Sequence, residues 1–136
     1  MQTIERYSFP GTTVPPAYGA YSHAVAAGDF VFISGQIARN PAGEFVGGDT
    51  ASQTTRCIEI VVDILLRFDL TLADVVRCTV YLADIADFPA MNAVVAEAFG
   101  ATLPARSTPQ VQMPFGAKVG LEVTAFRGSR RDMTET

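Results

Sequence analysis

The chain has 136 residues, 49% of them hydrophobic, and a formal net charge of -4. That length suits a single domain, residues 1–136, able to bury a core without staples, and the apolar content excludes a disordered chain. A nucleic-acid surface needs clustered Lys and Arg, whereas only Arg127, Arg130 and Arg131 gather, beside a terminus expected to fray. No basic segment followed by an apolar core heads the chain, and its longest apolar-rich stretch, residues 57–68, is broken by Glu59, Asp63 and Arg67. Neither a signal peptide nor a membrane span is therefore expected. Cys57 and Cys78 form no Cys-x-x-Cys pair, and the single histidine, His23, does not complete a metal cluster with them. Two reduced, buried thiols in a cytoplasmic protein without a metal is the expectation.

Taken in chain order, residues 1–16 carry little pattern and are expected to lie over the surface. Residues 22–27 and Phe30–Gln36 flank Gly28-Asp29, a two-residue hairpin signal. The second strand is apolar on both faces (Phe30, Val31, Phe32, Ile33), which places it centrally or against another subunit. Thr50-Ala51-Ser52-Gln53 has the form of a capping box. Beyond it Thr54, Ile58, Val61, Leu65 and Phe68 recur at helical spacing, with Arg56, Glu59, Asp63 and Arg67 opposite. Val76, Cys78, Val80 and Leu82 alternate with Arg77, Thr79 and Tyr81, predicting a half-buried strand. Asp87 can cap a second helix, with Pro89 in its first turn, Gly100 as its stop, and a stripe of Phe88, Met91, Val95 and Phe99. Strand-like runs over residues 105–112 and 120–126 complete the order ββαβαββ, with Pro109 restricted to an edge, bulge or strand end. These elements predict an α+β domain with both helices on one face of a sheet.

Four segments carry polar chemistry: Tyr18-Gly19-Ala20-Tyr21-Ser22, Phe32-Ile33-Ser34-Gly35-Gln36, Asp87-Phe88-Pro89-Ala90-Met91-Asn92 and Pro104-Ala105-Arg106-Ser107-Thr108. A proline-flanked arginine entering a strand is a fixed guanidinium, and its planar fork suits a small carboxylate. In this order the segments resemble the Rid (reactive intermediate deaminase, YjgF-like) family over residues 18–126. The resemblance implies a chorismate-mutase-like fold: a mostly antiparallel six-stranded sheet, its extra strand drawn from the N-terminal segment, assembled as a homotrimer. It implies clefts between subunits that hydrolyse enamines or imines of small 2-amino acids to 2-oxo acids and ammonia, with no cofactor.

By the same resemblance Arg106 anchors the substrate carboxylate, Tyr21 lines the cleft, and Ser34 and Gly35 bring the backbone close to the ligand. Thr108, two residues past Arg106, shares its face in a regular strand and can orient ligand or water. Asn92 is expected to be structural and His23 non-catalytic. One departure stands out. The family carries two acids at alternate positions of its last strand, the first of which positions the attacking water; here these positions are Gly120 and Glu122. Glu122 projects to the same face but is displaced by roughly 6–7 Å along the strand. The resemblance thus leaves open a deaminase working through Glu122, a divergent pathway enzyme (deaminase, cyclase or tautomerase) with a bulkier ligand over Gly120, and a non-catalytic small-carboxylate binder.

Overall fold

The computed structural model describes residues 3–9 and 13–128; Arg130 and Arg131 lie outside them. Six strands, β1 (Ile4–Tyr7), β2 (Ala24–Ala27), β3 (Phe30–Gln36), β4 (Val75–Leu82), β5 (Ala105–Ser107) and β6 (Val119–Phe126), form one sheet. Its order is β1-β2-β3-β6-β4-β5, antiparallel throughout except for the parallel β4–β5 pair at one edge. Helices α1 (Thr50–Leu66) and α2 (Phe88–Phe99) cover one face. Among the described residues no helix is long and apolar enough to cross a membrane.

The periodicities account for this layering. On β6, Val119, Leu121, Val123 and Ala125 are buried under the helices, while Gly120, Glu122, Thr124 and Phe126 alternate onto the open face. Cys57, Ile58, Val61, Ile64 and Leu65 of α1 close on them, joined by Met91, Val95 and Phe99 of α2. Both cysteines are free and sit in this layer; burial pushes the Cys57 thiol up to about 12 and the Cys78 thiol up to about 11.

Several local expectations are corrected. The N-terminal segment supplies edge strand β1, pairing Ile4 with Ala27 and Tyr7 with Ala24. Its side chains are mostly exposed, with Tyr7 alone turned inward against Phe68 at a ring separation of 4.8 Å, so no alternation marks it in the sequence. Val14 and Pro15 are buried, so this segment contributes to the interior. The N-cap of α1 is Asp49 rather than Thr50, its carboxylate accepting from Ser52 N at 2.8 Å. Gln53, buried, donates to the Gly48 carbonyl at 2.8 Å and accepts from Lys118 N at 2.9 Å, tying the helix start to the entry of β6. At α2, Asp87 occupies the N-cap position without a side-chain cap bond. Val76 is exposed because the β4–β6 register shifts between Val75 and Arg77. Arg127 is not frayed: its Nε donates to the Gly28 carbonyl at 3.0 Å and its Nη2 lies 3.5 Å from Glu5 Oε1.

Candidate functional site

The chain distributes the expected site residues over the two sides of its sheet. Arg106 stands on β5 beside Cys78 of β4, on the helix-covered side. Its Cζ lies 5.2 Å from the centroid of the Phe88 ring, and with Asn92, Val95, Ala96, Leu103 and Pro104 it lines a cavity of about 340 Å³. Among the described residues Arg106 has no ion pair; the three pairs present are Arg56–Glu59, Arg67–Asp63 and Arg127–Glu5. A half-buried guanidinium without a carboxylate, in an open cavity, is an anion site in waiting. Asn92, expected to be structural, faces the same cavity and can add an amide to whatever Arg106 holds.

Strand β5 is shorter than the pattern predicts. It ends at Ser107, because Pro109 cannot donate to a ladder; the Pro109 carbonyl accepts from Leu82 N at 3.0 Å instead. Thr108 therefore lies just beyond the strand, between Ser107 and the bridge that pairs Gln110 with Leu82 in the same register.

On the open side, Gly35 and Gly120 meet in a second cavity of about 210 Å³ with Tyr18, Tyr81, Met113 and Val111 on its walls. The β3–β6 register places Ile33 opposite Val123 but Gln36 opposite Leu121. One extra residue at Ser34-Gly35 thus bulges out of β3, as strands commonly do beside active sites. The bulge is braced from behind: Ser34 Oγ donates to the Ser22 carbonyl at 2.6 Å, and Ser34 N donates to the His23 carbonyl at 3.0 Å. A Cβ added at Gly35 would meet nothing within 4 Å, so within this chain nothing demands glycine there. The demand, if steric, comes from a ligand or a neighbouring subunit.

β6 runs without a bulge past β4 here, Gly120 opposite Tyr81 and Glu122 opposite Thr79. Gly120 and Glu122 therefore do project to one face. Glu122 is half-buried and accepts a short hydrogen bond from the Tyr81 hydroxyl. That bond is the main reason the Tyr81 phenol is held above its ordinary range, with burial adding to it. Glu122 is thus a carboxylate with a fixed phenol beside it.

Tyr21 packs edge-on against Tyr18, centroids 5.7 Å apart, and its hydroxyl accepts from Tyr18 N at 3.2 Å. The ring that reaches the second cavity is Tyr18, so Tyr21 acts on it from behind. His23 is buried, Nδ1 accepting from Phe9 N at 3.0 Å, which leaves the proton on Nε2 to donate to the Pro15 carbonyl at 2.8 Å. Neither nitrogen is left for a substrate.

Comparison with known proteins places the chain among relatives of one family. The family model described as endoribonuclease L-PSP matches residues 11–127. A RutC family protein of Pyrococcus abyssi is 42% identical over 115 residues, 83% of this chain and 91% of that protein. The 2-iminobutanoate/2-iminopropanoate deaminase of Rattus norvegicus is 35% identical over 130 residues, 94% of this chain and 95% of the relative. The crystal structure of E. coli TdcF with bound serine superposes with a TM-score of 0.80 at 33% identity, covering 85% of this chain and 94% of that one.

The chain belongs to the Rid family.

In this Rid protein Arg106 stands on β5, Ser34 and Gly35 form the bulge of β3, Tyr21 packs against Tyr18, and Gly120 stands where the resemblance implies an acid. Sequence reading missed two side chains that the fold brings to the site. In the sequence Tyr81 stands only as one of the polar-face residues of β4; the β4–β6 pairing, which sets it opposite Gly120, is what brings its hydroxyl to Glu122. The place of Tyr18 on the cavity wall depends on the loop before β2, which no periodicity fixes.

Proposed function

We propose that this Rid protein is an imine deaminase: a cofactor-independent hydrolase that converts 2-imino acids, or the enamines in equilibrium with them, to 2-oxo acids and ammonia. The observation that carries the reading is Arg106, a half-buried guanidinium with no carboxylate partner among the described residues, opening on a cavity with Asn92. Support comes from the relative named as a 2-iminobutanoate/2-iminopropanoate deaminase and from the related structure holding serine, a small amino acid.

In this proposal Arg106 clamps the substrate carboxylate through its planar fork, holding C2 at a fixed place. Glu122, oriented by Tyr81, accepts a proton from a water whose oxygen bonds to C2 as the C=N π pair moves to nitrogen. Return of that proton to nitrogen gives a C2 carbinolamine. A second proton then passes from its hydroxyl through Glu122 to nitrogen, the C–N bond breaks with its electron pair leaving on ammonia, and the freed O–H pair forms the carbonyl of the 2-oxo acid. Arg106 and Glu122 lie on opposite sides of one chain's sheet, so the proposal requires a homotrimer whose clefts join Arg106 of one subunit to the Gly35–Glu122 surface of the next. Two free thiols suit a reducing compartment, and we place the reaction in the cytoplasm.

Gly120 favours a second reading, a binder of small carboxylates without turnover, because the acid nearest the bulge is absent. The two separate in an ammonia-release assay with 2-imino acids generated in situ by an amino acid oxidase. Deamination predicts release above the buffer rate, falling roughly 10²- to 10⁴-fold in Glu122→Gln. Wild-type release equal to buffer would leave the binder. The family description as an endoribonuclease finds little footing in a chain of net charge -4.

A further inference from the structure

The cavity at Gly120 is better suited to a hydrocarbon chain than to a water-positioning carboxylate. Its walls are Tyr18, Ile37, Tyr81, Val111 and Met113, and it is floored by Gly120. At about 210 Å³ it is several times the ~30 Å³ that one water occupies in the liquid. An ideal Cβ built on Gly120 would lie 2.8 Å from Met113 Cε. The thioether has thus moved into the space that a side chain at position 120 would take, and methionine is the apolar residue that most readily withdraws and repacks.

One wall is fixed by an unusual arrangement. Arg39 is buried, 6% exposed, with its Nε donating to the Gly43 carbonyl at 3.0 Å and its Cζ 4.9 Å from the Tyr18 ring centroid. Phe115 packs edge-on against the same ring at 5.3 Å, held in a left-handed conformation at φ 57°. Tyr18 and Phe115 are 49% and 61% exposed. Large aromatics that are rigidly held yet open to solvent mark a binding surface rather than a core.

We infer that this cavity is the side-chain pocket of the substrate, and that the enzyme takes 2-imino acids with branched or extended apolar side chains, of leucine or methionine type, over those of alanine. The inference rests on the imine-deaminase reading for the position of C2. Tyr81, which lines this cavity, donates its hydroxyl to Glu122, so the cavity opens beside the carboxylate that serves C2 in that reading and offers room to the substituent on C3. Met113 withdraws as the chain enters, and Tyr18, steadied by Arg39, closes over it.

Two measurements on the wild-type protein test it. One is kcat/KM for ammonia release from oxidase-generated imines of leucine and of alanine; the other is calorimetric Kd for the matching products, 4-methyl-2-oxopentanoate and 2-oxopropanoate. One methylene in an apolar pocket is worth roughly 10- to 200-fold, so the leucine-derived pair is expected to lead by at least about 10-fold in both. Gly120→Glu, which displaces only the flexible end of Met113, should erase or reverse that preference. Equal values, a lead for the alanine-derived pair, or no binding of either product would overturn the inference. Preferential binding of the larger product with no ammonia release would uphold the pocket while removing the catalytic reading.

Discussion

Arg106 gains its meaning from what is missing around it. A charged group that is half-buried is costly unless something pairs with it, and among the described residues the guanidinium makes no ion pair and stands over the Phe88 ring. A ligand carboxylate would supply the missing partner. Arg106→Ala should weaken calorimetric affinity for a 2-oxo acid by about 1.5–3 kcal/mol, roughly 10- to 150-fold. Arg106→Lys should fall between, since a lysine keeps the charge but not the two-pronged geometry. Unchanged affinity in folded Arg106→Ala would remove the anchor. The arginine was readable from its sequence neighbours because proline on one side and a strand on the other are local signals. Tyr81 and Tyr18 were not, since each becomes a site residue only through pairing or packing with chain segments far away in sequence.

At the level of elements, the cap of α1 shows where local reading stops short. A hydroxyl at Thr50 with Gln53 three residues on satisfies the capping pattern, yet the backbone turns one residue earlier. Gly47 and Gly48 adopt positive φ, which delivers Asp49 in extended conformation to the helix start. Gln53 is then drawn away to Gly48 and Lys118, contacts no sequence window contains. The Asp49 carboxyl is held below its ordinary range, chiefly by the Ser52 backbone N–H and then by the Ser52 side chain. A carboxyl lowered by folding contributes stability above its unfolded value, about 3.9, and loses it as pH falls through the lower folded value. Asp49→Asn should keep the cap at neutral pH, while flattening the decline of Tm as pH falls below about 4. Asp49→Ala should lower Tm at neutral pH. Identical acid profiles for wild type and Asp49→Asn would show that the carboxylate charge plays no part. The other elements were legible because their periodicity spans a whole face: β3 ends where the pattern ends, and α2 stops at Gly100 with φ 58°. Strand β5 is shorter than the strand-like run because Pro109 interrupts the pairing, which resumes only as a single bridge between Leu82 and Gln110.

The whole molecule leaves an apolar surface on the side of the sheet away from its helices. Phe30 and Phe32 are 43% and 47% exposed, with Phe126 against Phe30 at a ring separation of 5.3 Å. Among the described residues nothing covers these rings, and the two-faced pattern of β3 predicts either a central place in the sheet, which it has, or a subunit against it. Further subunits would bury them, and closed symmetry would set the same cleft at each boundary. The site was legible as a set of residues but not as a place, because no sequence pattern tells on which side of a sheet a short parallel edge strand will present its arginine. The claim that one cleft draws Arg106 and Glu122 from different chains has a direct test. Arg106→Ala and Glu122→Gln are purified separately, each expected to be nearly inactive, then unfolded together in equal amounts and refolded. Random assembly gives about one quarter of the clefts both native residues, so ammonia release should return to about that fraction of a refolded wild-type control. Activity that stays at the level of the separate variants, or full activity in either variant alone, would contradict the shared site.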